Sequence, residues 1–422
     1  MTHARRAQAL QQCLSVADRL LNPDEVTTGL PTGAAGTLAD GLPGTALLHA
    51  RLACMEPDFA TAAVAHWVQA ARRTPKGAGF LGVFHAGAGL ATSLIIGVPY
   101  LPDPSAHATG TARAAQWLCA QAVDLAARHR ATPGRSTTGT PWQVYDAITG
   151  LAGTGRVLLS AFESGHTIVE PGLIAALNTL TGIIQHDIDG RPGWWLSADR
   201  HPNLVVVPPS GAATTGMAHG IAGPLAFLAT AHLAGITVPG QLDAVTHAGT
   251  WLVRQRDERT GTWPPYVTGE NLDTVHADAP VGRADAWCYG TPGISRALDL
   301  AGQATSDPCL SETAREALHQ LAQRAGSWDS EGPTLCHGHS GVLRVAEVMH
   351  DTDLAAHAAT AITGRFAADS RFGFRHVAGH TAEDRPGFLT GATGTALALA
   401  EHAGLPVSGG LPTCWDALLL VS

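Results

Sequence analysis

The 422-residue chain reads as an all-α protein, an α/α toroid of seven inner and seven outer helices with long loops at one end. Three observations predict it. A phrase Gly-x-x-Gly recurs at Gly41–Gly44, Gly150–Gly153, Gly220–Gly223, Gly290–Gly293, Gly338–Gly341 and Gly391–Gly394, with a seventh copy at Ala86–Gly89 that has alanine first. Each phrase opens a helix rich in alanine and leucine. Before each lies a longer, more polar stretch with apolar residues three or four apart. A supersecondary unit repeated at intervals of 45 to 70 residues cannot bury its apolar face alone and gains a core by stacking on its neighbours.

Taken in order, the small-residue helices are expected over 44–55, 89–97, 150–161, 220–233, 291–302, 339–349 and 392–402. The amphipathic ones are expected over about 5–21, 59–73, 108–129, 170–187, 240–256, 311–326 and 353–366. Pro171 and the Ser311-Glu312 pair are start signals for two of them. Small side chains let the first set pack side by side as an inner ring, while the second wraps outside with a charged face to water. The glycines serve the sharp turn into each inner helix, where helix starts crowd round the axis and a Cβ would clash. The whole chain, 1–422, is read as one toroid unit. Two long gaps lack a helical period: 189–216, read as a loop or small β element, and 257–285. Loops of that length in a compact fold are often functional, and both are expected to rim the central cavity.

Composition narrows the function. Hydrophobic residues at 45% supply a sizeable core, and a formal net charge of −9 argues against nucleic acid, whose phosphates need a basic face. No transmembrane segment is expected, because no apolar run stands out at about 18–20 residues. Seven scattered cysteines, at 13, 54, 119, 288, 309, 336 and 414, suit a reducing, cytoplasmic setting better than a disulfide framework.

The residues just before each phrase carry the chemistry. Cys288 and Cys336 each stand two positions before the first glycine of successive repeats, and His337 follows the second cysteine. Side chains at one repeat position point the same way, so Cys288, Cys336 and His337 form a three-ligand set suited to Zn2+ with one coordination position left open. Cys309 and Cys414 are the remaining cysteines that a fourth ligand would come from, and neither sits in a phrase. His219 occupies the same rim, and histidine is a side chain suited to general acid or base work. Asp146, four residues before Gly150, is either a partner for a positive group or a helix cap. Tyr289 is placed to donate a hydrogen bond near the metal, and Trp287 either walls a pocket or serves packing alone. Arg283 either steadies a developing oxyanion or pairs with Asp285 at the surface. Repeats one and seven, with Ala39-Asp40 and Phe388-Leu389-Thr390, look bland. His85, His339 and His380 read as structural.

Asp146-x-x-x-Gly150-x-x-Gly153, Met217-Ala218-His219-Gly220, Trp287-Cys288-Tyr289-Gly290 and Cys336-His337-Gly338, in that order, resemble the signature phrases of the lanthionine synthetase C-like family, above all the stand-alone cyclases of class I lanthipeptide biosynthesis. The resemblance runs from Gly41 to about His402. It implies an α/α toroid with one zinc on Cys288, Cys336 and His337, and active-site roles for Asp146, His219 and Tyr289. The implied reaction adds a peptide cysteine thiol to dehydroalanine or dehydrobutyrine, closing a thioether ring. The implied partners are a leader-bearing dehydrated precursor peptide and a dehydratase that acts first. The family's usual arginine, four residues before the first zinc cysteine, is replaced here by Ala284, with Arg283 one residue further back. Family members can also carry a small inserted domain, for which the gaps at 189–216 and 257–285 are the only room.

Chemistry read from the residues agrees with that reaction. Sulfur attacks the β-carbon, charge builds on the adjacent carbonyl, and His219 protonates the α-carbon while Asp146 orients it and Arg283 steadies the enolate. Other readings stay open at this point: addition of a different thiol such as glutathione, a hydrolase using bound hydroxide, and a non-catalytic scaffold that keeps zinc for stability.

Overall fold

The computed structural model of the protein describes residues 3–74, 77, 79–132, 138–202, 207–270, 272, 283–406 and 414–422. Fourteen long helices alternate in role among them. The outer set is α1 (His3–Arg19), α3 (Pro57–Arg73), α5 (Ala108–Ala131), α7 (Glu170–Gln185), α9 (Gln241–Arg254), α11 (Pro308–Gln323) and α13 (Thr352–Thr363). The inner set is α2 (Leu42–Leu52), α4 (Ala86–Gly97), α6 (Leu151–Glu163), α8 (Ala222–Leu233), α10 (Thr291–Thr305), α12 (His339–Val348) and α14 (Ala392–His402). Each inner helix packs on the next, and α14 packs back on α2, so the ring closes. The N-terminal α1 covers the seam by packing on α14.

Burial follows the sequence pattern. Every residue of α2 is buried. On α11 only Leu310, Thr313, Ala314, Ala317, Leu318 and Leu321 are, a stripe spaced three and four apart that faces the core. Outer helices start in ordinary ways. Asp307 and Asp351 accept from early backbone N–H groups of α11 and α13, and α3, α7 and α11 open on proline.

Inner helices start differently, and this explains the repeated phrase. None of the seven has a side-chain N-cap. The preceding turn supplies its own carbonyls instead: Thr291 N–H donates to Ala284, His339 to Gly332 and Ala392 to Arg385. Folding the turn that tightly puts backbone where a Cβ would stand. A Cβ on Gly290 would overlap the carbonyl of Ala284, and one on Gly293 the carbonyl of Trp287 and the Cβ of Met217 in the neighbouring repeat. The clash expected at the toroid axis is thus mainly a clash with each repeat's own turn. In the one copy with alanine first, Ala86 takes a positive φ of 31°, a conformation unfavourable for a residue with a Cβ.

The turns are joined to one another by backbone. Ala147 N–H donates to Ala218 C=O, Ala218 to Cys288, Cys288 to Cys336, Cys336 to Leu389, Leu389 to Ala39 and Ala39 to Phe84, at 2.9–3.4 Å. Six of the seven steps round the rim therefore carry a backbone hydrogen bond, five of them between residues that stand two before their phrase; Ala147 stands three before Gly150. At the seventh, Gly82 lies against Ile148 and Thr149 so closely that a Cβ would overlap both.

Both long gaps contribute to one small antiparallel sheet. Strand β3 (Trp195–Leu196) pairs with β4 (Ala212–Thr214), and β4 pairs with β5 (Tyr266–Thr268), after a short hairpin of β1 (Asp187–Ile188) and β2 (Arg191–Pro192). Thr214 of β4 accepts or donates at Tyr145 Oη, 3.0 Å away, and its hydroxyl donates to the His219 carbonyl at 2.7 Å, so the sheet is tied to the rim. A second hairpin, β6 (Arg375–Ala378) with β7 (Thr381–Asp384), stands beside repeat six. Residues 271 and 273–282, the middle of the second gap, lie outside the described residues.

Two features depart from expectation. Thr167–Gln185 is long and apolar enough by composition to span a membrane, with a mean hydropathy of 1.4, although no such run was expected. In the fold it forms α7 and the turn before it, with half of it buried, packed on α5, α6 and α9. Inner helices also carry buried arginines. Residues 414–422 lie against them: Arg156 donates to the Ser422 carbonyl at 3.0 and 3.1 Å, Arg296 to Val421 at 2.6 Å, and Arg344 pairs with Asp416 at 2.6 Å.

Gly293→Ala is expected to destabilise the protein by roughly 2–4 kcal/mol, because the overlapped groups are backbone and a packed side chain. Gly182→Ala on the exposed face of α7, where nothing lies within 4 Å, should stabilise by about 0.5–1 kcal/mol. Denaturant unfolding of the two variants checks both signs.

Candidate metal centre and active site

Rim turns from repeats three to six meet at one cleft. The hydrogen bond from Cys288 N–H to Cys336 C=O, 3.3 Å, sets the two cysteines side by side. The two sulfurs and a ring nitrogen of His337 lie within 4.8 Å of one another, and among the described residues this is the one such group of histidine, cysteine and acidic side chains. Cys309 is exposed and Cys414 half-buried, and neither belongs to it. All seven cysteines are free thiols.

The donor set fits a divalent cation. His337 Nδ1 is bonded to Glu331 Oε2 at 2.7 Å. That partner fixes the tautomer with the proton on Nδ1, as carboxylates do behind ligating histidines, and leaves Nε2 as the acceptor nitrogen. Burial pushes the Cys288 thiol up, but hydrogen bonds from Cys336 and His337 and the charges of His337 and Arg283 outweigh it and hold it well below the ordinary thiol value. Its bond to Cys288, with burial added, holds Cys336 well above. Two thiolates beside an imidazole suit Zn2+.

Arg283 sits beside this group. It takes a left-handed conformation, φ 51°, held by its N–H donating to Asp329 Oδ2 at 2.8 Å. Its guanidinium reaches His337 Nε2 at 2.6 Å and Glu331 Oε1 at 2.8 Å. The kink carries the arginine to the metal group although it stands one residue off the family position. The surface pair with Asp285 does not form, since Asp285 binds Arg324 at 2.8 Å instead.

Across the cleft, Asp146 does two things at once. Its Oδ1 accepts from the N–H groups of Ile148, Thr149 and Gly150 and from the Thr149 hydroxyl, at 2.6–3.1 Å, which caps the turn into α6. Its Oδ2 meets His219 Nδ1 at 2.5 Å. The two sequence readings of Asp146, cap and charged partner, therefore describe opposite oxygens of one fully buried carboxylate. With Nδ1 engaged, His219 offers Nε2 to the cleft. The imidazole stacks on Trp142 at 5.1 Å with 19° between planes, and Tyr289 lies tilted 6.1 Å away. Burial raises the Tyr289 phenol above its ordinary value, so it stands as a neutral donor. Trp287 turns inward, fully buried, and its indole donates to the Leu419 carbonyl at 2.9 Å; it braces the Cys288 turn from behind and walls no pocket.

Sequence reasoning missed Glu331 and Trp142. Glu331 stands seven residues before Gly338, as Arg283 stands seven before Gly290, outside the phrase itself, and Trp142 has no aromatic counterpart in the other repeats. Trp142 lies four residues before Asp146 in a short helical turn, Trp142–Tyr145, and only a search for aromatics one turn from a site acid would have raised it. His376 of β6 also reaches Glu331, 3.5 Å from Oε2. Of the histidines set aside, His339 donates from Nδ1 to the Gly332 carbonyl, 2.6 Å, as a structural residue would.

Comparison with known proteins agrees with this geometry. The sequence profile described as lanthionine synthetase C-like protein matches residues 34–404. Nisin biosynthesis protein NisC of Lactococcus lactis subsp. lactis is 28% identical over 211 residues, 49% of this chain and 49% of that protein, so the match spans about half the relative's length. The solved structure of a nisin cyclase superposes with a TM-score of 0.76 at 19% identity, over 96% of each chain, a likeness of fold.

Glu331→Gln should weaken metal binding by about 10–100-fold, the usual loss when a carboxylate behind a ligating histidine is removed. Competition with a chromogenic chelator measures it. An unchanged affinity would mean that Glu331 does not hold His337.

Proposed function

The chain belongs to the lanthionine synthetase C-like family, and from that premise we propose that it is a zinc-dependent lanthipeptide cyclase, closing (methyl)lanthionine thioether rings in a dehydrated precursor peptide. One observation carries the reading: Cys288, Cys336 and His337 stand together on the same rim as a His219–Asp146 pair. A hydrolase would be served by a carboxylate ligand, and the group holds none among the described residues.

Cys288, Cys336 and His337 would hold the zinc, which supplies Lewis acidity that lowers the pKa of an incoming thiol. The remaining work belongs to side chains. The substrate sulfur bonds to the β-carbon of dehydroalanine or dehydrobutyrine, and the π electrons move onto the neighbouring carbonyl as an enolate. A proton on His219 Nε2 passes to the α-carbon, so the thiol's hydrogen is balanced by the new C–H. Asp146 keeps the ring aimed through Nδ1, and the Trp142 stack stops it swinging. Tyr289 donates a hydrogen bond at the cleft. Arg283, at the edge of the metal group, steadies the enolate oxygen. Glu331 neutralises Arg283 and orients His337.

The whole chain serves as one cyclase unit in this reading, with the small sheet as part of its rim. Its partners are the leader-bearing precursor and a dehydratase that generates the acceptor first. A reducing compartment such as the cytoplasm suits seven free thiols.

Purified protein should bind about one zinc per chain and consume the thiol of a dehydrated, cysteine-containing peptide by ring closure. Cys336→Ala should hold almost no zinc. His219→Asn should keep its zinc and lose about 10²–10⁴-fold in rate, the range for a general acid. Metal content unchanged by Cys336→Ala, or a rate unchanged by His219→Asn, would overturn the proposal. Adducts of free glutathione in place of rings would move the activity to the other thiol class.

A further inference from the structure

The rim holds seven equivalent positions, and the chemistry above uses only part of them. The residue immediately before the phrase is Asp40, His85, Thr149, His219, Tyr289, His337 and Thr390 in repeats one to seven. All are polar. His219, Tyr289 and His337 meet at the cleft, and Thr149 binds Asp146. Because backbone bonds join these turns at equivalent positions, Thr390, Asp40 and His85 continue the same circle on its far side.

Those three are gathered with one cation. A Cβ on Gly387 would touch the Asp40 Cα, which brings the turn of repeat seven onto that of repeat one. Arg385, two residues earlier, reaches the Thr390 hydroxyl at 3.5 Å and pairs with Glu383. Leu38 and Ala39 both donate to the Phe84 carbonyl, which sets His85 beside Asp40.

Asp40 is the informative member. Asp146, the acid of the repeat-three turn but three residues further from its phrase, satisfies Oδ1 with four donors of its own turn. The Asp40 carboxylate, by contrast, has no hydrogen-bond partner among the described residues, although it is half-buried. Burial pushes its carboxyl up, against the nearby charges of Arg385 and His85. Its oxygens are not among the buried polar atoms left without a partner, so water reaches them, and a ligand that brings donors can take the place of that water. An acceptor beside the hydroxyl of Thr390 and the guanidinium of Arg385 matches a peptide unit, whose N–H donates and whose C=O accepts.

We propose that Asp40, His85, Thr390 and Arg385 form a peptide-backbone subsite that holds the chain flanking the dehydrated residue, while that residue itself reaches His219 and the substrate thiol lies at Cys288, Cys336 and His337. This rests on the cyclase reading. In that arrangement the peptide is gripped at a second point of the ring while its reacting atoms meet at the cleft.

The test uses the zinc-loaded full chain with a dehydroalanine peptide of two kinds, one with its cysteine and one with alanine there. Asp40→Ala should weaken binding of the alanine peptide, read by fluorescence anisotropy, about tenfold, as loss of a charge-assisted hydrogen bond does. It should raise KM for ring closure by a similar factor with kcat within about twofold. Its zinc content should be unchanged and its melting temperature equal or higher, since no internal bond is lost. Thr390→Val should act in the same direction. If the wild type closes rings and both variants bind and turn over like it, the subsite is refuted and the cyclase stands. A lowered melting temperature with unaltered peptide affinity would make Asp40 structural and refute it too. If the wild type neither binds the peptide nor closes rings, the cyclase reading fails and takes the subsite with it.

Discussion

The circle of backbone hydrogen bonds through Phe84, Ala39, Leu389, Cys336, Cys288, Ala218 and Ala147 is the constraint on which the rest depends. Each bond contributes only about 0.5–1.5 kcal/mol net. Their effect on geometry is larger, because they turn equivalence in sequence into adjacency in space. Residues 288 and 336 are neighbours because each is its repeat's link in that circle. The glycines follow from the same constraint. A turn that offers one carbonyl to the next repeat and another to its own helix has no room for a Cβ at Gly290 or Gly293.

This is why so much could be read from the chain. The phrases mark the links, so the ring, its helix order, the cysteine pair and the face shared by His219 and Tyr289 were legible. Asp146 was legible as a residue but not as a pair of oxygens, since one-dimensional spacing does not show a cap and a histidine contact on the same carboxylate. Glu331 shares with Arg283 the position seven residues before the phrase, outside the residues that the phrase marks, and Trp142 has no aromatic counterpart in the other repeats. They reach the cleft because a turn of 324–337 and a short helix at 142–145 happen to be folded over it. The sheet across 195–268 was legible only as two gaps, since strands of two or three residues carry too little period to be paired from sequence. The bland look of Asp40 and Thr390 reflected their residue types, whereas their position was the signal.

The other side of the ring obeys a different economy. Arg51, Arg156, Arg296 and Arg344 are buried on inner helices, where a charge is tolerated only with partners. Glu401 receives Arg51 at 2.7 Å, and residues 414–422 receive the other three through Asp416 and main-chain carbonyls. The same segment takes the Trp287 indole at Leu419. Its satisfaction of the arginines and its bracing of the Cys288 turn are thus one piece of packing, which ties the metal group to the interior of the toroid as well as to its rim.

Charge balance at the cleft then explains why the reactive groups can sit so close together. Glu331 is matched by Arg283, Asp146 by the donors of its own turn and by His219, and two thiolates would be matched by one divalent ion. Each anion has its own counter-group, so none must be desolvated alone. An enolate forming between Arg283 and His219 would be the one uncompensated charge in the cleft, and it would form between a guanidinium and a proton donor. Uniform binding of substrate and transition state would do nothing for the chemical step. A cleft balanced at rest and aimed at one transient negative charge favours the transition state over the bound peptide, and the backbone circle holds that aim in place.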